Sequence, residues 1–194
     1  RRIEKIIYLN KTEIIDAALQ IIAEEGLKAL TMQSIAEKIQ APIGSIYHRF
    51  HSRDELLAEL WINIAKPFQE DFLATLNNNG LQAALFTLQW VRTYPKESHV
   101  LLLYRREELS SGDWPEDFKQ KVADLSSQLD DGIHSFIKRF FGRVTKNNIQ
   151  RTVFALIDVP FAAVKRSLQD DEVPTPLLDK LVRETYITIM GRDD

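Results

Sequence analysis

The sequence predicts an all-α protein: an N-terminal three-helix head containing a helix-turn-helix, followed by a C-terminal helical bundle. Three observations predict it. Apolar residues recur at helical spacing through almost everything after residue 10, and no stretch alternates as a strand does. Seven glycines punctuate 194 residues, leaving long uninterrupted stretches. Near the N-terminus three short helices fit into roughly 40 residues, the second and third joined by only two or three, which is helix-turn-helix spacing. Residues 1–53 are read as the head and 54–194 as the body, the fourth helix connecting them from about residue 54.

The elements follow in order. Asn10 can cap a first helix, with Glu13 completing a capping box. Its apolar face is Ile14, Ile15, Ala18, Leu19 and Ile22, and Gly26 is expected to end it in the left-handed conformation. Thr31 caps a second helix, on which Met32, Ile35, Ala36 and Ile39 form one face. Pro42 suits the first turn of a short third helix bearing Ile46, Tyr47 and Phe50. Ser52 caps the fourth, with Glu55 as box partner and Leu56, Leu57, Leu60 and Ile64 on its buried side. Further helices are expected at 54–76, 81–94, 96–109, 115–141, 145–169 and 176–190. The breaks between them are Asn77–Gly80, Tyr94-Pro95, the loop at 110–113, Gly142 and residues 170–174. Pro160 should kink the helix that contains it.

Composition narrows the function classes. With 44% hydrophobic and 27% charged residues the chain can bury a core and is not a disordered one. The absence of cysteine excludes a disulfide framework, a cysteine nucleophile and a thiolate metal site. No apolar run reaches the roughly 18 residues of a membrane span, and the N-terminus lacks the pattern of a secretory leader. A cytoplasmic location is therefore expected, and a sequence beginning on Arg1 is expected to lack its natural start. The net charge of −3 does not mark a nucleic-acid binder, but its distribution is uneven. Between Gly26 and Arg53 the charges are Lys28, Lys38, Arg49 and Arg53 against Glu37 alone, while acids prevail further along.

A third helix held across the second by a tight turn can enter a major groove about 12 Å wide. The side chains there suit the task. Gly44 allows close approach to a phosphate. Tyr47, His48, Arg49 and Arg53 can reach phosphates, which set register and affinity. Base readout falls to Gln33, Ile43, Ser45 and His48, glutamine pairing with adenine and Ile43 lying against a thymine methyl. Thr31 belongs to the same DNA-facing set. Alternative readings of these residues exist: Tyr47 as a partly buried aromatic, Arg53 as a solvated charge, His48 and His51 as half of a metal site that lacks a nearby third ligand.

Residues 14–57 resemble the DNA-binding signature of the TetR/AcrR family of transcriptional regulators. The landmarks are Asp16-Ala17-Ala18, Gly26, Thr31, Ile35-Ala36, Gly44-Ser45-Ile46-Tyr47, Phe50 and Ser52-Arg53-Asp54-Glu55-Leu56-Leu57. The resemblance implies a dimeric repressor released from its operator by a small molecule. Four positions depart from the pattern: Gln40 where glycine is usual, Ala41 for a larger aliphatic, Pro42 for serine and Ile43 for lysine. Gln40 is expected at positive φ.

The body is then expected to hold an apolar or aromatic effector among Trp61, Phe68, Phe86, Trp90, Tyr104 and Phe161, with Asp158 either a polar group of the pocket or a hydrogen-bonding partner at the Pro160 kink. Ala155, Val159, Ala162 and Ala163 of residues 145–169, with Leu177, Leu178 and Leu181 of the last helix, are expected to form a two-fold homodimer interface. The expected partner is a palindromic double-stranded operator. No cofactor, metal site, catalytic set or membrane contact is expected. The basic residues Arg1, Arg2 and Lys5 could extend as an arm into a minor groove. The alternatives are a helical ligand-binding or interaction protein that does not read DNA and, more distantly, an enzyme working in the apolar cavity.

Overall fold

A computed structural model describes residues 9–109 and 114–191. The basic arm and the loop at 110–113 lie outside the described residues.

The head is made by local rules. Helix α1 (Lys11–Glu25) starts in the expected box: the Asn10 side chain accepts the Glu13 N–H at 2.8 Å, and the Asn10 N–H donates to the Glu13 carboxylate at 3.1 Å. Gly26 does take a positive φ of 84°, but with ψ 167° the chain leaves extended, into a 3₁₀ turn over Leu27–Ala29. Helix α2 (Met32–Lys38) is capped by Thr31, whose box partner is Ser34. Pro42 stands one position earlier than expected, as the residue before α3 (Ile43–Tyr47). The turn between α2 and α3 depends on Gln40, at φ 54° as its place in the pattern demands. Ser52 caps α4 (Arg53–Asn78) by accepting the Glu55 N–H. Glu55 does not close the box; its carboxylate accepts the N–H of His51 at 2.8 Å instead. Ile14, Ala18, Ile35, Ile46, Phe50, Leu56 and Leu57 are all buried beneath these helices.

The body is looser in its local logic. Helix α4 runs 26 residues, about 39 Å, out of the head and through the body, with Pro67 inside it. Only Asn79 separates it from α5 (Gly80–Thr93). The helix expected over 96–109 is broken: α6 (Pro95–Ser98) widens into a π turn over His99–Leu103, Tyr104 is extended, and α7 (Arg106–Leu109) is a separate turn. Helix α8 (Glu116–Phe141) ends at Gly142, φ 76°. The helix expected over 145–169 is α9 (Lys146–Val153), a π turn (Phe154–Asp158) and α10 (Val159–Gln169). Pro160 explains that turn. It has no N–H for the carbonyl four residues back, and the Val159 N–H reaches instead to Phe154 O, five back. The chain ends in α11 (Pro176–Met190).

Helix α4 packs along α8 and α5, and α5 packs against α10 and α11. Arg92 of α5 fixes the start of α11: it is paired with both carboxylate oxygens of Asp179 and donates to Pro174 O at 3.0 Å. That pairing holds the Arg92 guanidinium above its ordinary pKa. The head meets the body beyond α4 as well, because α1 packs on α6 and on the π turn that follows it. No helix among the described residues is long and apolar enough to cross a membrane.

Candidate nucleic-acid interface and body cavity

Helix α3 is a single short turn with two opposed sides. Ile46 points inward and is fully buried, as is Phe50 just after the helix. Ile43, Gly44, Tyr47 and His48 face out, Tyr47 at 47% exposure and Ile43 at 40%. Such bare apolar and aromatic side chains on a helix of five residues have no covering partner among the described residues. A Cβ built on Gly44 would meet nothing within 4 Å. No internal packing demands glycine there. Gln33 is exposed on α2, its amide donating to Glu37 at 2.8 Å, and Ser45 is half-buried. Thr31 is exposed, its hydroxyl oxygen occupied in capping Ser34.

The two arginines expected at phosphates are already employed. Arg53 Nε donates to Leu30 O at 2.8 Å and its Nη2 to Leu27 O at 3.1 Å, so the first residue of α4 is locked to the 3₁₀ turn. Arg49 Nε donates to Leu9 O at 2.9 Å. In both cases the fork geometry of guanidinium leaves other N–H groups over. Sequence could show the charges but not these carbonyl partners, which lie 23, 26 and 40 residues away. Lys38 is joined to Glu24 at 3.2 Å; that carboxyl is held below its ordinary pKa, first by the Gln20 amide and then by Lys38. His51 pairs with Glu55 at 3.0 Å, and no group of three potential metal ligands exists among the described residues.

Inside the body lies a cavity of about 230 Å³. Trp61, Phe68 and Phe161 line it. So do Ala65, Gln69 and Phe72, which sequence reasoning passed over although they fall on the same face of α4 as Trp61 and Phe68. Leu125 and Leu129 of α8 close the far side, and Gln69 donates to Leu125 O at 2.8 Å. The remaining expected residues stand elsewhere. Phe86 packs behind the wall, against Phe68 and Phe72 at 5.3 and 6.1 Å between ring centroids. Trp90 sits edge-on to Phe68 at 4.8 Å and borders a different cleft. Tyr104 is at the head, its hydroxyl accepting the Leu27 N–H at 3.3 Å. Asp158 is exposed and lines neither space.

The surface of α10 and α11 is also informative. Ala162, Leu177 and Leu181 are exposed, and Val159, Ala163 and Leu178 are half-buried. Phe154, not anticipated, lies bare at 49%. Ala155 departs from expectation: it is fully buried in the chain's own core, three residues on from the buried Thr152 and on the same helical face.

Residues 14–60 match the family model described as bacterial regulatory proteins of the tetR family. The head is thus similar to the DNA-binding region of that family. The chain is also similar to the transcriptional repressor KstR2 of Rhodococcus jostii, 38% identical over 85 residues, 42% of each chain. It is also similar to the probable acrEF/envCD operon repressor of Escherichia coli K12, 25% identical over 109 residues, 52% of this chain and 50% of that one. These matches span about half the length of the curated relatives or less. At the level of fold, likeness to solved structures extends over more than nine tenths of the chain. The fatty acid degradation regulator FadR of Bacillus halodurans superposes with a TM-score of 0.67 at 17% identity, covering 93% of this chain and 94% of that one. FadR of Bacillus subtilis, solved in complex with stearoyl-CoA, gives 0.70 at 15%, covering 94% and 98%.

Proposed function

We propose that the chain is a sequence-specific DNA-binding transcriptional regulator, a repressor released from a palindromic operator by a small apolar effector. The observation that carries this reading is α3: a five-residue helix inside the family match, presenting Ile43, Gly44 and Tyr47 bare to solvent. Thr31, Gln33, Ser45, His48 and Arg49 complete the proposed DNA surface. Arg53 joins it less as a phosphate contact than as the clamp that sets the head on α4.

Residues 1–53 then serve as the reading head and 54–194 as the effector and dimerisation body, working in the cytoplasm as a two-fold dimer. Phe154, Ala162, Leu177 and Leu181 supply the apolar face such a dimer would bury. Two heads so held would meet successive major grooves roughly 34–36 Å apart.

The body cavity suits an uncharged effector, since Gln69 is its one polar side chain among the lining residues. At about 230 Å³ it falls below the roughly 300–1,000 Å³ of ordinary ligand sites. An effector of that ordinary size enters only when α4 and α8 part. It therefore binds the opened conformer better than the closed one, and that difference is what shifts the population away from DNA. An acyl chain, as in the stearoyl-CoA complex of the Bacillus subtilis protein, is one apolar group of suitable shape.

Selection of bound fragments from the source genome, followed by titration of the recovered site across a salt series, tests the reading. A recurring palindrome bound with steep salt dependence is expected. Salt-insensitive or absent binding would mean a helical ligand-binding protein that does not read DNA. Sedimentation at micromolar concentration tests the dimer: Leu181→Glu is expected to give folded monomers and to abolish cooperative operator binding.

A further inference from the structure

Phe68 borders two spaces of opposite chemistry. One is the apolar body cavity. The other is a cleft of about 370 Å³ where α1 of the head meets α4, α5 and α6. Asp16, Glu59, Asp71 and Glu97 line this cleft, against Lys11 as the one basic lining residue. Lys11 is already joined to Glu59 at 2.9 Å. Among the described residues Asp16, Asp71 and Glu97 have no ion-pair partner, so the lining keeps an excess of negative charge. The aromatic part is Trp90, edge-on to Phe68 at 4.8 Å and with Tyr94 beside it at 5.6 Å. Tyr94 is 45% exposed, an unusual degree for a ring that has apolar neighbours to cover it. The carboxylates do not converge: no three potential metal ligands come together among the described residues. Charge spread along a wall beside aromatic rings matches an extended organic cation and not a point ion, since rings attract a weakly hydrated ammonium and carboxylates give it long-range direction.

We propose that this cleft is a second ligand site, taking an organic ammonium ion with an aromatic or aliphatic body that lies on Tyr94, beside the edge of the buried Trp90, while Asp71 and Glu97 face its charge. The site is separate from the apolar body cavity and stands whether or not the chain reads DNA. Because α1 forms one wall and α4 another, an occupant touches head and body at once.

Calorimetric titration of the full chain at low ionic strength tests it, with phenethylammonium as probe and 2-phenylethanol as its uncharged counterpart. The ammonium is expected to bind at least tenfold more tightly than the alcohol and to weaken as salt is added. Asp71→Asn with Glu97→Gln, both changes at partly or fully exposed positions, is expected to lose about two- to fivefold per carboxylate, the range of an exposed charge pair. Leu129→Trp, which fills the body cavity, is expected to leave ammonium binding unchanged. Equal binding of amine and alcohol, no binding of the amine, or loss of binding in Leu129→Trp with none in the carboxylate variant would each overturn the proposal. Failure of operator binding would not touch it.

Discussion

Head and body differ in how regular their helices are. In the head, Asn10, Thr31 and Ser52 each cap a helix with a side-chain oxygen, and two arginines tie the pieces to backbone carbonyls. In the body, Asn79 and Thr145 cap α5 and α9 in the same way, but α6, α8 and α11 begin at or beside prolines with no side-chain cap, as α3 does in the head, and two helices carry π turns. The head is thus fixed by contacts short in sequence or strong in charge. The body holds together by packing over long distances, with backbone groups that already depart from the regular ladder. A unit of the first kind moves as a rigid piece; one of the second kind can yield around a ligand.

Substitutions can break or sharpen that contrast. The largest expected effect is Phe50→Ala, which empties a fully buried ring site in the head. It should cost about 3–5 kcal/mol, read as a lower urea midpoint, and should abolish operator binding. Arg53→Ala removes two charge-assisted hydrogen bonds to Leu30 O and Leu27 O. A loss of about 2 kcal/mol in stability is expected, with the salt slope of DNA binding unchanged; a slope reduced by about one unit at unaltered stability would instead assign it to a phosphate. Tyr47→Phe should leave stability alone and weaken operator binding by roughly 1.5–3 kcal/mol if its hydroxyl meets a phosphate; an unchanged titration would remove it from the interface.

Two small substitutions at glycine-related positions should have opposite signs. Gln40→Gly relieves the positive φ in the head's turn and should raise stability by about 1 kcal/mol. Gly132→Ala in α8 gains roughly 1 kcal/mol of helix propensity, but its Cβ would stand 2.4 Å from Leu73 Cδ2. Overpacking of this kind costs about 1–3 kcal/mol, so a net loss is expected unless the Leu73 side chain swings clear. Thermal melts of both variants check the pair.

What could be read in the sequence follows the same division. Asn10, Thr31, Ser52 and Gln40 announce the head because their effects reach only three or four residues. In the body, Trp61 and Phe68, singled out for their aromatic character, fall on one face of the uninterrupted part of α4 and border the cavity. Spacing also holds through residues 145–169, where Thr152, Ala155, Leu156, Pro160, Val164 and Leu168 are buried three or four residues apart and Asp158 is left outside. Ala155 was placed at the surface because a small side chain suits close helix approach, a property that serves the chain's own core equally well. Tyr104 was misplaced because the helix carrying it stops at that residue, a break no glycine or proline marks.

Pro67 stands 14 residues from Arg53 on α4, a separation of about 21 Å along the axis. It can give no N–H to the carbonyl of Asn63, so the backbone ladder of α4 is weakened there, beside the cavity wall at Phe68. The clamp at Arg53 makes the head an extension of the arm beyond that weakened point. Tilting the arm by about 5° would carry its clamped end by roughly 2 Å. In a two-fold pair the two displacements are mirrored, so the heads would spread by roughly 4 Å, a sizeable mismatch against the 34–36 Å repeat of the duplex. A ligand in the body would then need to move its own walls only slightly, with the length of the arm supplying the rest.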